Sequence, residues 1–408
     1  MNRSFAKDDF PGKPRILFVG LPQSTHTHGW ISLLEDQEVN VRLFALPTGD
    51  LPAETKVKAY LTLPGPAGTN NTRMRFYLPG RLGRLQKKIA ARIGLAGDEK
   101  NLARVVRSWR PDVIHTLGVD PASFFYLTAR ERYHLEKIGQ WVVQIRGGSD
   151  LTLSRHVGES IKKLKRVFVA CDQIVSDNLA NIGTLSNWHI PRSKFAAIVP
   201  VPGSGGIDFR TLPKNLAAPS RRRRIIVWPK AYECQWSKAL PVLAAIQSVW
   251  EKIAPCEVHL LAVGRDVHQW VLALPLEIRR HCRLYPRVRQ TELFSLLKRA
   301  RIMLAPSLVD GVPNSLYEAM ACGAFPIVSP LETIRPIVAE EKNVLYARNL
   351  YPDEIAAALV RAMNHDALVD RAAANNRKLV KRLADREMIR KKVVDYYQTI
   401  ISSGRRGG

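Results

Sequence analysis

The sequence predicts an α/β protein of two doubly wound domains, and three observations carry that expectation. Its 408 residues exceed what one hydrophobic core usually organises. Short apolar runs alternate with amphipathic stretches from the start of the chain, as strands and helices do in a parallel sheet covered on both faces. The alternation breaks at 210–224, where Thr211, Pro213, Asn215, Pro219 and Ser220 lead into the run Arg221 to Arg224. The expected domains are therefore 14–209 and 225–385, with 210–224 as linker and a last helix over 386–401.

In chain order, residues 1–13 are polar and read as a loose terminus. Arg15 to Gly20 reads as the first buried strand and Leu21 to Gly29 as its loop, with a helix beginning at Trp30 and a strand over Val39 to Leu46. Arg73 to Arg92 is strongly basic. Within it Leu82, Leu85, Ile89 and Ile93 recur at helical spacing, with Arg81, Arg84, Lys87, Lys88 and Arg92 around them. That stripe either packs on the sheet or lies on an anionic membrane surface. Pro111 to Thr116 is a strand with a polar end at His115, and Trp141 to Ile145 delivers Arg146 to Asp150 to the same edge. Phe168 to Ala170 and Ile198 to Pro202 read as the last strands of the first domain.

The second domain opens with the strand Ile225 to Trp228, with Lys230 and Lys238 on either side of a longer loop. Val258 to Gly264 and Cys282 to Val288 are further strand-and-turn units. Asn343 to Leu345 and the stretch from Asp353 supply another strand and helix, and Ser402 to Gly408 reads as a disordered tail.

The charge is unusual. Sixty-two Lys and Arg against 36 Asp and Glu give +26, which favours anionic partners such as nucleotide phosphates or acidic lipid headgroups. A nucleic-acid partner is not expected, because no interleaved aromatic pattern or recognition motif accompanies the charge. The five cysteines are scattered without a Cys-x-x-Cys pair, arguing for a reducing compartment and against a structural zinc or disulfide frame. Charges within the first twenty residues argue against a signal peptide, and no apolar run is long enough to span a bilayer. A cytoplasmic location is the expectation, with docking on the inner membrane face left open by the basic stripe.

The most informative stretch is Pro306 to Val328, PSLVDGVPNSLYEAMACGAFPIV. Ile302 to Ala305 precedes it as a buried strand. Asp310 to Asn314 is turn chemistry, and Asn314 reads as the N-cap of a helix that Gly323 ends. On that reading the amides of Ser315, Leu316 and Tyr317 carry the positive end of the helix dipole and can hold a phosphate. Asp310 and Glu318, eight positions apart, bracket that anion, placed to accept hydrogen bonds from hydroxyls on either side of it. A nucleotide sugar has that layout.

Here the residues resemble a known family. Pro306 to Val328 is similar to the acidic-x7-acidic signature of the retaining glycosyltransferases of the GT-B fold, most like glycosyltransferase family 4, with Asp310 where Glu is usual. The resemblance runs from Arg15 to about Ile401, stronger in the second half. It implies a GT-B fold, two Rossmann-like domains facing across a cleft, with the last helix, 386–401, crossing back to join the first domain. It also implies retaining, metal-independent transfer from a nucleoside diphosphate sugar, a co-substrate with no further cofactor, to a carbohydrate or lipid-linked acceptor in polysaccharide or glycolipid synthesis.

By the same resemblance Asp310, Glu318, Lys238 and Arg146 are the catalytic set. Glu318 holds the ribose, Asp310 the sugar and the cations the departing diphosphate. Arg146 stands where many relatives have His. Lys230, Gly264, Arg287, Val288, Gly311, Asn314, Ser315, Leu316 and Glu318 would bind the donor. Gly29 and the loop residues His26 and His28, with His115, would form the facing side of the cleft, unless the loop histidines simply face solvent. Two other readings stay open: a nucleic-acid-binding protein on a degenerate GT-B fold, and an epimerase or phosphorylase on the same fold.

Overall fold

The structure, a computed structural model, describes residues 3–63, 72–78, 80–92, 97–147 and 149–406. The chain forms two compact units. The first comprises the chain up to Arg146, Asp150–Gly205 and the terminal segment from Met388; the second spans Gly206–Glu387.

The first unit is built on seven strands: β1 (Arg15–Gly20), β2 (Asn40–Ala45), β3 (Lys58–Leu61), β4 (Arg73–Arg75), β5 (Val113–Leu117), β6 (Gln140–Ile145) and β7 (Gln173–Ser176). They are all parallel and run in the order β4-β3-β2-β1-β5-β6-β7. Because successive side chains of a strand point to opposite faces, β1 feeds two cores. Leu17 and Val19 pack with Phe44, Trp141 and Phe168, while Ile16 and Phe18 pack with Trp30, Leu43 and Tyr397. Each large side chain so enclosed contributes roughly 1.5–3 kcal/mol.

The second unit repeats the plan with β8 (Ile225–Trp228), β9 (Glu257–Leu260), β10 (Cys282–Leu284), β11 (Ile302–Ala305), β12 (Phe325–Val328) and β13 (Leu345–Tyr346). The order is β10-β9-β8-β11-β12-β13, again all parallel. In both sheets the chain starts in the middle, works outward to one side, then returns to build the other. The reversals fall between β1 and β5 and between β8 and β11, and ligands bind at such switch points, beyond the carboxyl ends of the strands.

Several expectations need correction. Phe168 to Ala170 is the last turn of a helix, Gly158–Ala170, rather than a strand. Three apolar residues in a row fit a buried helix face as well as a strand, and Leu164, Val167 and Phe168 supply that face here. Ile198 to Pro202 is irregular; Pro200 and Pro202 bring no amide donors to a ladder, and the segment touches β7 through Val201 N–H to the Ser176 carbonyl. β3 and β4 had no expectation attached to them, and Arg73–Arg75 lay within the stretch read only as basic. The helix expected from Trp30 starts earlier, at Thr25, and runs to Ile31. Gly29 therefore sits inside that helix. A Cβ there would come within 2.4 Å of the Ser204 carbonyl oxygen, so glycine is required by close approach of backbone rather than by loop geometry.

The final helix, Arg386–Arg406, includes most of the expected tail. Ile389, Val393, Tyr396, Tyr397, Ile400 and Ile401 recur at helical spacing and are buried in the core that holds Ile16, Phe18 and Trp30. Ile93, the last residue of the basic stripe, lies outside the described residues.

Candidate functional site

The second unit gathers its polar side chains around the switch point between β8 and β11. β8 is wholly buried and delivers Lys230 just past its carboxyl end. β11, also wholly buried, delivers the loop that carries Asp310. The Lys230 ammonium pairs directly with Asp310 Oδ2, both side chains being largely enclosed. Burial opposes the charge on Lys230, but Asp310 and neighbouring groups outweigh it and hold the pKa above the usual lysine value.

The Asp310 loop is rigidly held. Thr333 Oγ1 donates to the carbonyls of Asp310 and Gly311, each at 3.0 Å. The Leu308 amide donates to the Trp236 carbonyl at 2.9 Å, tying this loop to the one that follows Lys230. Buried Asn349 clamps the two together: its Oδ1 accepts from the Lys238 amide at 2.8 Å, and its Nδ2 donates to the carbonyls of Lys238 (3.0 Å) and Pro306 (3.1 Å).

The helix Asn314–Cys322 follows the loop, and Gly323 ends it in the left-handed region with φ 72°. Asn314 is its first residue rather than its N-cap. Pro313 holds the cap position without a side-chain bond, since its ring carries no hydrogen-bonding group. The Leu316 amide, expected to be open to a ligand, donates to the Pro313 carbonyl at 3.0 Å in a tight first turn. What this turn offers instead is the Ser315 hydroxyl, buried with no hydrogen-bond partner in the structure. Ser237, on the neighbouring loop, is in the same condition. Each of these buried hydroxyls leaves a hydrogen bond that a polar ligand can supply.

Glu318, one turn in, is almost fully buried and accepts from Gln290 Nε2 at 2.9 Å. Burial pushes its pKa above the usual carboxylate range, against the Gln290 bond and the Lys230 charge, which act to lower it. Lys238 precedes the helix Leu240–Ser248 and pairs with Glu233 at 2.7 Å, and the other Glu233 oxygen accepts from the Ala239 amide at 2.8 Å. A carboxylate thus occupies both the lysine and an amide at that helix start. Gly264 caps the helix Arg265–Leu272, and beyond β10 Arg287 is exposed and Val288 half-buried against the core. Among the described residues, no group of three His, Cys, Asp or Glu side chains is arranged to hold a metal ion.

The first unit holds the remaining sequence-derived residues. The Arg146 guanidinium donates twice to Gln144 Oε1, at 3.0 and 2.7 Å, and its amide donates to Asp150 Oδ2 at 2.6 Å. Burial lowers the Arg146 pKa to about 9 and raises that of Asp150 to about 7. His26 and His28 are helix rather than loop residues, lying within Thr25–Ile31; His28 Nε2 donates to the Pro22 carbonyl at 2.7 Å and so braces the turn that precedes the helix, and His26 is half-buried, with Nδ1 toward Gly203. His115 corrects an expectation: it is a core residue, fully enclosed rather than open at the strand end. Its Nδ1 accepts from the Tyr397 hydroxyl at 2.5 Å, and that oxygen in turn accepts from Trp30 Nε1 at 3.0 Å. Burial first, then the Arg146 charge, holds this imidazole neutral far below the usual histidine range.

Sequence reasoning missed Asn349, Glu233, Gln290 and Thr333. Glu233 carried a signal, lying between two lysines assigned to an anion site. The others did not, since their partners are distant in sequence.

Residues 223–365 match the family model described as "Glycosyl transferases group 1". No curated protein matches the chain. Among solved structures, the sucrose-phosphate synthase of Thermosynechococcus elongatus is 12% identical with a TM-score of 0.69, over 96% of this chain and 100% of the other. The Anabaena protein HepE, in complex with UDP and glucose, is 12% identical with a TM-score of 0.67, over 95% and 100%. A UDP-N-acetylglucosamine 2-epimerase, so described, from Listeria monocytogenes is 10% identical with a TM-score of 0.62, over 96% and 98%. At such identity the likeness is one of fold, and the fold is GT-B. The residues so matched fall within the second unit, which carries the candidate site. No helix among the described residues is long and apolar enough to cross a membrane.

Proposed function

We propose that this protein transfers a sugar from a nucleoside diphosphate donor to an acceptor hydroxyl, with retention at the anomeric carbon and without a metal ion, in polysaccharide or glycolipid synthesis. One observation carries the reading: Lys230 paired with Asp310, beside buried Glu318, at the switch point of the second sheet. The match of this unit to group 1 glycosyl transferases supports it, as do structural neighbours determined with UDP and glucose.

Lys230 and Lys238 would take the donor diphosphate, exchanging Asp310 and Glu233 for phosphate oxygens. The Ser315 hydroxyl and the positive end of its helix would complete that contact. Asp310, freed from Lys230, would accept from a sugar hydroxyl, and Glu318 would exchange Gln290 for the ribose hydroxyls. The acceptor oxygen bonds to the anomeric carbon on the face from which the diphosphate departs. The bond to the leaving oxygen breaks with its electron pair, and the acceptor proton passes to a donor phosphate oxygen. Fixed cations where negative charge develops supply the acceleration.

The test begins with a thermal-shift screen of nucleoside diphosphates, uridine diphosphate first, because a ligand of the folded state raises the melting temperature. Turnover is then followed as free nucleoside diphosphate released only when acceptor is added. Release without acceptor points to an epimerase or hydrolase, loss of activity on chelation overturns metal independence, and an inverted product overturns retention. Lys238→Ala is expected to lower turnover by roughly 100-fold or more, as removal of one transition-state donor does. Glu318→Ala is expected to abolish transfer while the protein still melts cooperatively. Near-normal turnover of the Glu318 variant would sink the assignment.

A further inference from the structure

The helix Gly80–Arg92 belongs to the first unit and plays no part in the site above. Its sequence, GRLGRLQKKIAAR, has no acidic residue. At 100° per residue, Leu82, Leu85 and Ile89 fall within one narrow stripe. The stripe faces away from the unit: Leu82 is 69% exposed, Leu85 55% and Ile89 49%. Leu78, which precedes the helix and whose amide donates to Gln86 Oε1 at 3.0 Å, is 56% exposed as well. The opposite face makes the attachment. Gly83 is buried there, and Lys87 pairs with Asp98 at 2.7 Å, donates to the Thr62 carbonyl at 3.1 Å and stands 5.2 Å from the Tyr77 ring centre. Arg81, Arg84 and Lys88 flank the stripe on one side, exposed and without an ion pair among the described residues.

The structure assigns this face to the surface of an anionic lipid bilayer, with the helix lying in the plane of the membrane. Apolar surface alone would fit many partners; the charge decides. Leucines and an isoleucine bordered by unpaired cations, with no acidic residue in the helix, complement acyl chains beneath phosphate headgroups. A protein groove lined by carboxylates would have to supply both features at once. Thirteen residues rising 1.5 Å each make about 20 Å of helix, too short and too charged to cross the bilayer, so it rests on the membrane.

The test is flotation of the full chain with vesicles of phosphatidylcholine mixed with phosphatidylserine, against phosphatidylcholine alone. Binding to the mixed vesicles, weakening as salt is raised from about 50 to about 500 mM, is expected. The triple variant L82Q/L85Q/I89Q keeps all the charge of the chain and is expected to lose tenfold or more in vesicle affinity with an unchanged melting temperature. R81Q/R84Q/K88Q is expected to lose the preference for the anionic lipid. Binding that persists undiminished in L82Q/L85Q/I89Q would show adsorption by net charge and overturn the assignment. So would absence of vesicle binding, or self-association that depends on Leu82.

Discussion

Glu318 is an acid that the fold makes costly to ionise. It is nearly sealed from water, and one amide donor and a nearby lysine do not restore what burial removes, so its pKa sits above the ordinary range. The folded state therefore holds the proton more tightly than the unfolded chain does. The resulting stability is complete below the unfolded pKa and is lost as pH rises through the folded one. Glu318→Gln, which cannot ionise, should therefore melt above the parent at neutral pH. The gap should close as pH falls through the carboxylate range. A parallel pH profile for the two proteins would contradict the reading. Keeping a residue that lowers stability is expected where it serves a ligand.

At the scale of elements, the site depends on two loops held in one arrangement by backbone bonds. Asn349 links the Lys238 loop to Pro306 with three hydrogen bonds. Asn349→Ala leaves two carbonyls and an amide without partners and should destabilise the second unit by about 1–3 kcal/mol. Denaturant titration measures that loss, and diphosphate affinity should fall with it. In the first unit, Gly29→Ala drives a methyl into the Ser204 carbonyl and should destabilise by a similar ~1–3 kcal/mol. Unchanged stability would mean that the helix Thr25–Ile31 and the Ser204 turn move apart freely.

At the scale of the whole chain, the first unit is completed by its last residues. Tyr397 is the shared partner of Trp30, 367 positions away, and His115, 282 positions away. Tyr397→Phe keeps the packing and removes the hydroxyl, leaving an indole N–H and an imidazole nitrogen unpaired in a dry core. The expected cost is about 1–3 kcal/mol, read as a lowered denaturation midpoint with an unchanged slope. The net charge of +26 acts at this scale too, but charge sets which partners approach and not where they dock. The stripe on Gly80–Arg92 supplies the place.

The sequence by itself determined the α/β class, most strand positions and the acidic pair Asp310 and Glu318. Buried parallel strands announce themselves as apolar runs, and a strand-loop-helix unit keeps its chemistry within one short stretch. Only the tertiary structure decided what those residues face. That Lys230 pairs with Asp310 follows from β8 lying beside β11, and that Gln290 supports Glu318 follows from the packing of the helices on either side of β11, whereas Glu233 meets Lys238 within one loop. The enclosure of His115 required the final helix to pack over β1, a fact no local pattern contains. The helix Gly80–Arg92 shows the same divide. Its amphipathic period was plain in the sequence, but packing alone could turn the apolar side outward, because periodicity fixes that a helix has two faces and not which one the protein covers.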